Sequence, residues 1–153
     1  MKHEHTVSAL EDHLGYWLRY VSNQVSHSFS QKLARRDVTV AEWVMLREMF
    51  EADDLNPSEL ASKLGLTRGA ISKLTDRLVT KALIQRSFST EDKRFQTLSL
   101  TTKGQALVPK LSALADENDK EFFGRLKPSE RTLIEKLMKQ IARSNGLRAI
   151  PID

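Results

Sequence analysis

The sequence predicts a mainly α-helical chain with one small β-hairpin. Three observations lead there. Apolar residues recur at steps of three or four through most of the 153 residues, the period of helices with one buried face. Two short runs, 83–88 and 95–100, read as strands, the second by alternating side chains, and flank a charged stretch, the pattern of a hairpin. Cysteine is absent, which excludes disulfides, thiolate metal sites, cysteine nucleophiles and thiol redox sensing.

The elements follow in order. Leu10, Leu14, Trp17/Leu18, Val21, Val25, Phe29 and Leu33 predict one long amphipathic helix over 10–33. Trp43, Val44, Leu46 and Met49/Phe50 predict a second over 41–50. Asn56, Pro57 and Glu59 supply a cap, a first helical residue and a reciprocal capping carboxylate, so a short helix spans 57–64. Gly65 ends it in a left-handed conformation. Thr67 caps a helix from Arg68 to about Lys81. The two strands follow. Thr101 or Thr102 caps a further helix through Leu107, Leu111, Leu114 and Phe122. Pro128 opens the last, through Leu133, Leu137 and Ile141, and Asn145–Gly146 ends it.

Within "NPSELASKLGLTRGAISKLTDRLVTKALI", Leu60, Ala61 and Leu64 face inward, Leu66 fills the corner, and Ala70, Ile71, Leu74 and Leu78 line the second helix. This is the spacing of a helix-turn-helix, whose second helix enters the DNA major groove. A hairpin directly after it forms a wing. The fold class is therefore a winged helix-turn-helix over 37–100, flanked by helical dimerisation segments at 1–36 and 101–153, in one compact chain with no independent second domain. Neither terminal stripe could bury itself alone, so a second copy is expected to cover both.

Charge supports this division. Residues 63–94 hold eight basic and three acidic side chains, a net +5, while the rest of the chain nets −1. An excess gathered in one segment is the footprint of a polyanion-binding module. On the second helix, Arg68, Gly69, Ser72, Lys73 and Asp76 project opposite the apolar set, with Thr75 and Arg77 at the flanks. Ser72 suits a base edge or phosphate, Arg68 and Lys73 reach guanine or backbone, and Gly69 lets the helix approach closely. Thr67 joins them at the helix N-terminus, where free N–H groups attract phosphate. At the wing tip, Lys93 and Arg94 are expected in the adjacent minor groove. Asp92, repelled by DNA, is expected to accept turn N–H groups and hold Arg94.

The run "STEDKRFQTLSLTTKG" resembles the wing of the MarR family of bacterial winged-helix regulators, which reads Asp-x-Arg, a strand, then Leu-Thr-x-x-Gly; here these are Asp92, Arg94, Leu100, Thr101 and Gly104. The helix-turn-helix is similar too, and the likeness covers nearly the whole chain. It implies a homodimer with two winged heads on a pseudo-palindromic operator, repressing transcription and released by a small ligand. By position it makes Ser72, Lys73, Arg77, Arg68 and Arg94 contacts to double-stranded DNA. The missing cysteine excludes the family's thiol-oxidation branch.

Weaker signals complete the reading. His13, Tyr16, Trp17, Tyr20, Trp43 and Arg47 are candidates for a small-molecule effector pocket where the first helices meet the head. His3, His5, His13 and His27 lack metal-ligand spacing, so no metal or other cofactor is expected. Asp53–Asp54 lies in a loop, and no phosphate loop or nucleophile elbow occurs, so no enzyme is expected. There is no apolar run of about 18 residues and no signal-peptide core, so a cytoplasmic location is expected. The alternative function is a winged-helix protein-interaction or small-molecule-binding module without specific DNA binding.

Overall fold

A computed structural model describes residues 7–52, 54–88, 91 and 95–152. A 3-10 turn, Leu10–Asp12, leads into α1 (Leu14–Ala34), α2 (Val40–Phe50), α3 (Pro57–Leu64), α4 (Arg68–Thr80), β1 (Ile84–Phe88), β2 (Gln96–Leu100), α5 (Thr102–Phe123) and α6 (Pro128–Ser144). The first helix starts at Leu14, not Leu10. The Asp12 carboxylate accepts the Ala9 N–H at 2.8 Å, and His13 is extended (φ −96°, ψ 125°). A local side-chain bond thus competes with the helix and breaks it.

Local chemistry sets most other ends. Asn56 Oδ1 accepts the Glu59 N–H at 2.8 Å, and Glu59 Oε2 accepts the Asn56 N–H at 3.2 Å. Pro57 stands at the first helical position, and Gly65 closes α3 at φ 65°. Thr39 and Glu42 form an equivalent reciprocal cap at α2, with bonds of 2.9 and 3.2 Å.

The C-terminus of α4 is different. It ends without glycine: Ala82 adopts φ 56°. Neighbouring residues hold this turn. The Thr101 hydroxyl donates to the Ala82 carbonyl at 2.7 Å, and Lys103 Nζ donates to that of Lys81 at 3.0 Å. The same hydroxyl accepts the Gly104 N–H at 3.1 Å, capping α5. A Cβ on Gly104 would stand 2.1 Å from the Leu83 carbonyl oxygen, so α5 can dock on the start of β1 only through a glycine.

The strands pair antiparallel, Ile84 with Leu100, Arg86 with Leu98 and Phe88 with Gln96. Leu55 adds a bridge on the far side of β2, with N···O distances of 3.1 and 2.7 Å to Leu98. This short third rung lies in a segment that sequence patterning gives to a loop. Leu83, Ile84, Leu98 and Leu100 are buried as expected, but Phe88 is 59% exposed. It shares the face of Ile84, yet sits four residues nearer the tip, past the body of the head.

The core joins the end of α1 (Leu33) to α2, α3, α4, the hairpin base and the first turns of α5. Beyond it the terminal helices are uncovered. α6 buries no residue, and Leu14, Leu18 and Val21 of α1 are exposed with Leu133, Leu137 and Ile141 of α6.

Candidate nucleic-acid interface

α4 buries Ile71, Leu74, Thr75 and Leu78, spaced as one face of a 3.6-residue helix. Thr75 is therefore inside, at 3% exposure, not on the exposed flank where the projection put it. Its hydroxyl oxygen has no hydrogen-bond partner among the described residues. The opposite face carries Arg68, Gly69, Ser72, Lys73, Asp76 and Arg77, all exposed. The helix opens with Thr67, whose hydroxyl accepts the Ala70 N–H at 3.1 Å. The preceding backbone N–H groups of this first turn remain as donors for an anion.

The charge on this face is sorted by pairing. Asp76 is bound by Arg86 of β1, so the one acid on this exposed face is neutralised by the hairpin. Among the described residues, Arg68, Lys73 and Arg77 have no ion-pair partner. An added Cβ at Gly69 would meet only Thr67 Oγ1, at 3.9 Å, so no packing within the head requires a glycine there. Asp92, Lys93 and Arg94, the candidates at the wing tip, lie outside the described residues.

α4 is anchored at its other end by Lys81. Its ammonium donates to Glu42 Oε2 at 2.9 Å and to the Asp37 carbonyl at 2.6 Å. Glu42 is 1% exposed, so this cap of α2 is also the buried half of an ion pair. Sequence reading overlooked Arg86 and Lys81. Arg86 was accessible to it: two residues after Ile84, it must share that residue's face and meet α4.

The six pocket candidates fall in three places. A cavity of about 320 Å³ lies between α1, α2 and α5, lined by Val25, Ser26, Phe29, Val40, Trp43, Val44, Ala115, Asn118, Asp119 and Pro151. Of the six, only Trp43 reaches it, edge-on to Phe29 at 6.5 Å. Arg47 borders a separate polar groove and pairs with Glu51 at 2.9 Å. Tyr16, Trp17 and Tyr20 cluster with one another on α1, with ring centroids 5.3 to 6.4 Å apart, and His13 binds the Ala9 carbonyl at 3.0 Å. The aromatic stretch of α1 runs past the head, so its side chains cannot face the cavity. Asn118 was the missed signal: it continues the α5 stripe Leu107, Leu111, Leu114 at helical spacing. It is 4% exposed; its amide donates to the Val25 carbonyl at 3.1 Å and accepts from Lys32 Nζ at 3.0 Å. Among the described residues no group of three acids or histidines gathers as a metal site, and no helix is long and apolar enough to cross a membrane.

A helix-turn-helix with an exposed cationic second helix, followed by a hairpin, defines the winged helix-turn-helix class of transcription regulators. The chain is similar to the MarR family: the model described as "MarR family" matches its residues 38–95. It is 29% identical over 122 residues to the HTH-type transcriptional regulator PrsX of Escherichia coli, covering 78% of this chain and 74% of that protein. An uncharacterised HTH-type transcriptional regulator of Bacillus cereus is 29% identical over 141 residues, covering 88% and 92%. Among solved structures, a mutant MarR of Escherichia coli complexed with operator DNA matches with TM-score 0.73 and 28% identity, covering 84% and 92%. The MepR–DNA complex of S. aureus matches with TM-score 0.75 and 25% identity, covering 86% and 98%. Both relatives are named as transcription regulators.

Proposed function

We propose that the chain is a sequence-specific, DNA-binding repressor of the cytoplasm that acts as a homodimer on a pseudo-palindromic operator. The observation that carries this is the exposed set Arg68, Lys73 and Arg77, without ion-pair partners among the described residues, around Gly69 and Ser72 on α4. Phosphates are met by the cations and the α4 N-terminus; base edges are met by Ser72 and Lys73. Arg94 and Lys93 extend the contact into the minor groove, with Asp92 holding the tip. The regions 1–36 and 101–153 form the dimerisation part and 37–100 the DNA-binding part, a division supported by the uncovered apolar faces of α1 and α6. The MarR and MepR structures named above hold DNA, which supports the same reading. The cavity beside Trp43 is the place for a small, largely apolar effector with a polar group, since Val25, Phe29, Val40, Trp43 and Val44 line it together with Ser26, Asn118 and Asp119.

Fluorescence anisotropy on DNA from upstream of the protein's own gene, beside a scrambled duplex and at several salt concentrations, tests the proposal. Preferential binding that weakens steeply with salt is expected. Arg94→Ala should weaken binding to all duplexes, and Ser72→Ala or Lys73→Ala should alter the preference among them. If random-sequence selection also enriches no site, a protein-interaction module takes its place.

A further inference from the structure

The final residues do not trail away from α6. Gly146 turns the backbone at φ 63°, and the tail runs back over the winged head. The Ala149 Cα lies 3.4 Å from where a Cβ on Gly65 would stand, against the corner between α3 and α4. Ile150 packs on the core. Pro151 forms part of the cavity wall with Val40, Trp43 and Val44. Three consecutive residues thus touch the helix-turn-helix corner, the core and the cavity in turn.

We propose that residues 149–151 are a strap that closes the cavity and ties it to the corner, so that a small apolar molecule entering the cavity competes with the tail. Pro151 and Trp43 line the same cavity, so a molecule too large for the space between them enters only if Pro151 lifts, and its chain neighbours Ile150 and Ala149 move with it. The hold is also weak enough to be displaced. Ile150 and Ile152 are only partly buried, and Ala149 and Pro151 are exposed. None of the tail's backbone groups beyond Leu147 makes a backbone hydrogen bond with the head among the described residues. Occupancy of the cavity would therefore reach the turn that positions α4 through the chain's own C-terminus. This inference stands on packing and does not require that the protein bind DNA.

The chain has two tryptophans, so Trp17→Phe leaves Trp43 as the sole reporter. In that background, acrylamide quenching is compared for the full chain, a chain lacking residues 148–153, Ile150→Asp and Ile150→Leu. Removing the tail or placing a charge at Ile150 should raise the Trp43 quenching constant about twofold, as expected for a site released from local protection. Hydrogen exchange at the Gly65 and Leu66 amides should quicken in the same variants, and Ile150→Leu should match the parent. Unchanged quenching with both the shortened chain and Ile150→Asp overturns the strap. Raised quenching with unchanged exchange at Gly65 and Leu66 overturns the tie to the corner. If the shortened chain does not fold, Ile150→Asp against Ile150→Leu decides the matter.

Discussion

At the scale of single residues, three positions carry opposite constraints. Ala82 holds a left-handed backbone at φ 56°, which costs an alanine about 1–2 kcal/mol that a glycine does not pay. Ala82→Gly should therefore stabilise the fold by about 0.5–1 kcal/mol in urea denaturation, the flexibility glycine adds to the unfolded chain offsetting part of the gain. Gly104 is the reverse case. The Cβ of Gly104→Ala would stand 2.1 Å from the Leu83 carbonyl oxygen, and relieving that overlap should cost about 1–3 kcal/mol in the same measurement. A Cβ on Gly69 would make only one ordinary contact, with Thr67 Oγ1 at 3.9 Å. Gly69→Ala should leave the melting temperature unchanged or raise it, because alanine is the better helix former, while operator affinity falls several-fold in anisotropy. Loss of both stability and binding would instead give Gly69 a packing role. Together the three separate glycine kept for the fold from glycine kept for a ligand.

Between elements, buried pairing decides how α4 is held. Lys81 joins its end to Glu42 in α2, and Glu42 is nearly inaccessible to water. Lys81→Met leaves that carboxylate without its cation, and the loss of a charged hydrogen bond predicts about 1.5–3 kcal/mol of destabilisation in urea. Glu42→Gln, which keeps the capping geometry toward Thr39, should cost less. A Lys81→Met protein as stable as the parent would show that water can reach Glu42. Such contacts also mark where sequence reading stops. The caps at Asn56 and Thr67 and the turn at Gly65 were legible because donor, acceptor and spacing all lie within four residues. So was the exposed face of α4, apart from Thr75, which periodicity already placed between Ile71 and Leu78. The end of α4 was read only approximately, because Thr101 and Lys103 fix it from about twenty residues away. The Leu55 bridge has the same origin, a ladder of two bonds to Leu98 that leaves no alternation of its own. Of the six effector-pocket candidates only Trp43 lines the cavity, for a related reason. Helical spacing puts Tyr16, Trp17 and Tyr20 on neighbouring faces of α1, but it cannot say how far the winged head extends along that helix.

For the whole molecule, the question is what covers the ends of α1 and α6. Leu137 and Ile141 are 46% and 49% exposed on a helix that buries nothing. They stand one turn apart, on a stripe continued by Leu133 and Ile134. A second copy would bury this face together with Leu14 and Leu18 of α1, and two-fold symmetry would present every substitution twice. Leu137→Lys with Ile141→Lys should then leave the secondary structure of the chain intact, since both side chains already meet solvent within one copy, yet turn a dimer into a monomer in sedimentation velocity. The consequence for DNA follows from counterion release. Each phosphate contact contributes about −0.9 to the slope of log affinity against log salt, so a chain reduced to one head should show about half the parental slope. Its specific affinity should fall by well over tenfold, because the second head no longer binds at the high effective concentration that linkage provides. A monomer that keeps the full slope would mean that one head makes all the phosphate contacts, and an unchanged dimer would move the interface away from α6. A monomer with half the slope joins the apolar ends to the cationic helix: the terminal faces fix the spacing of two α4 helices, and that spacing selects the operator.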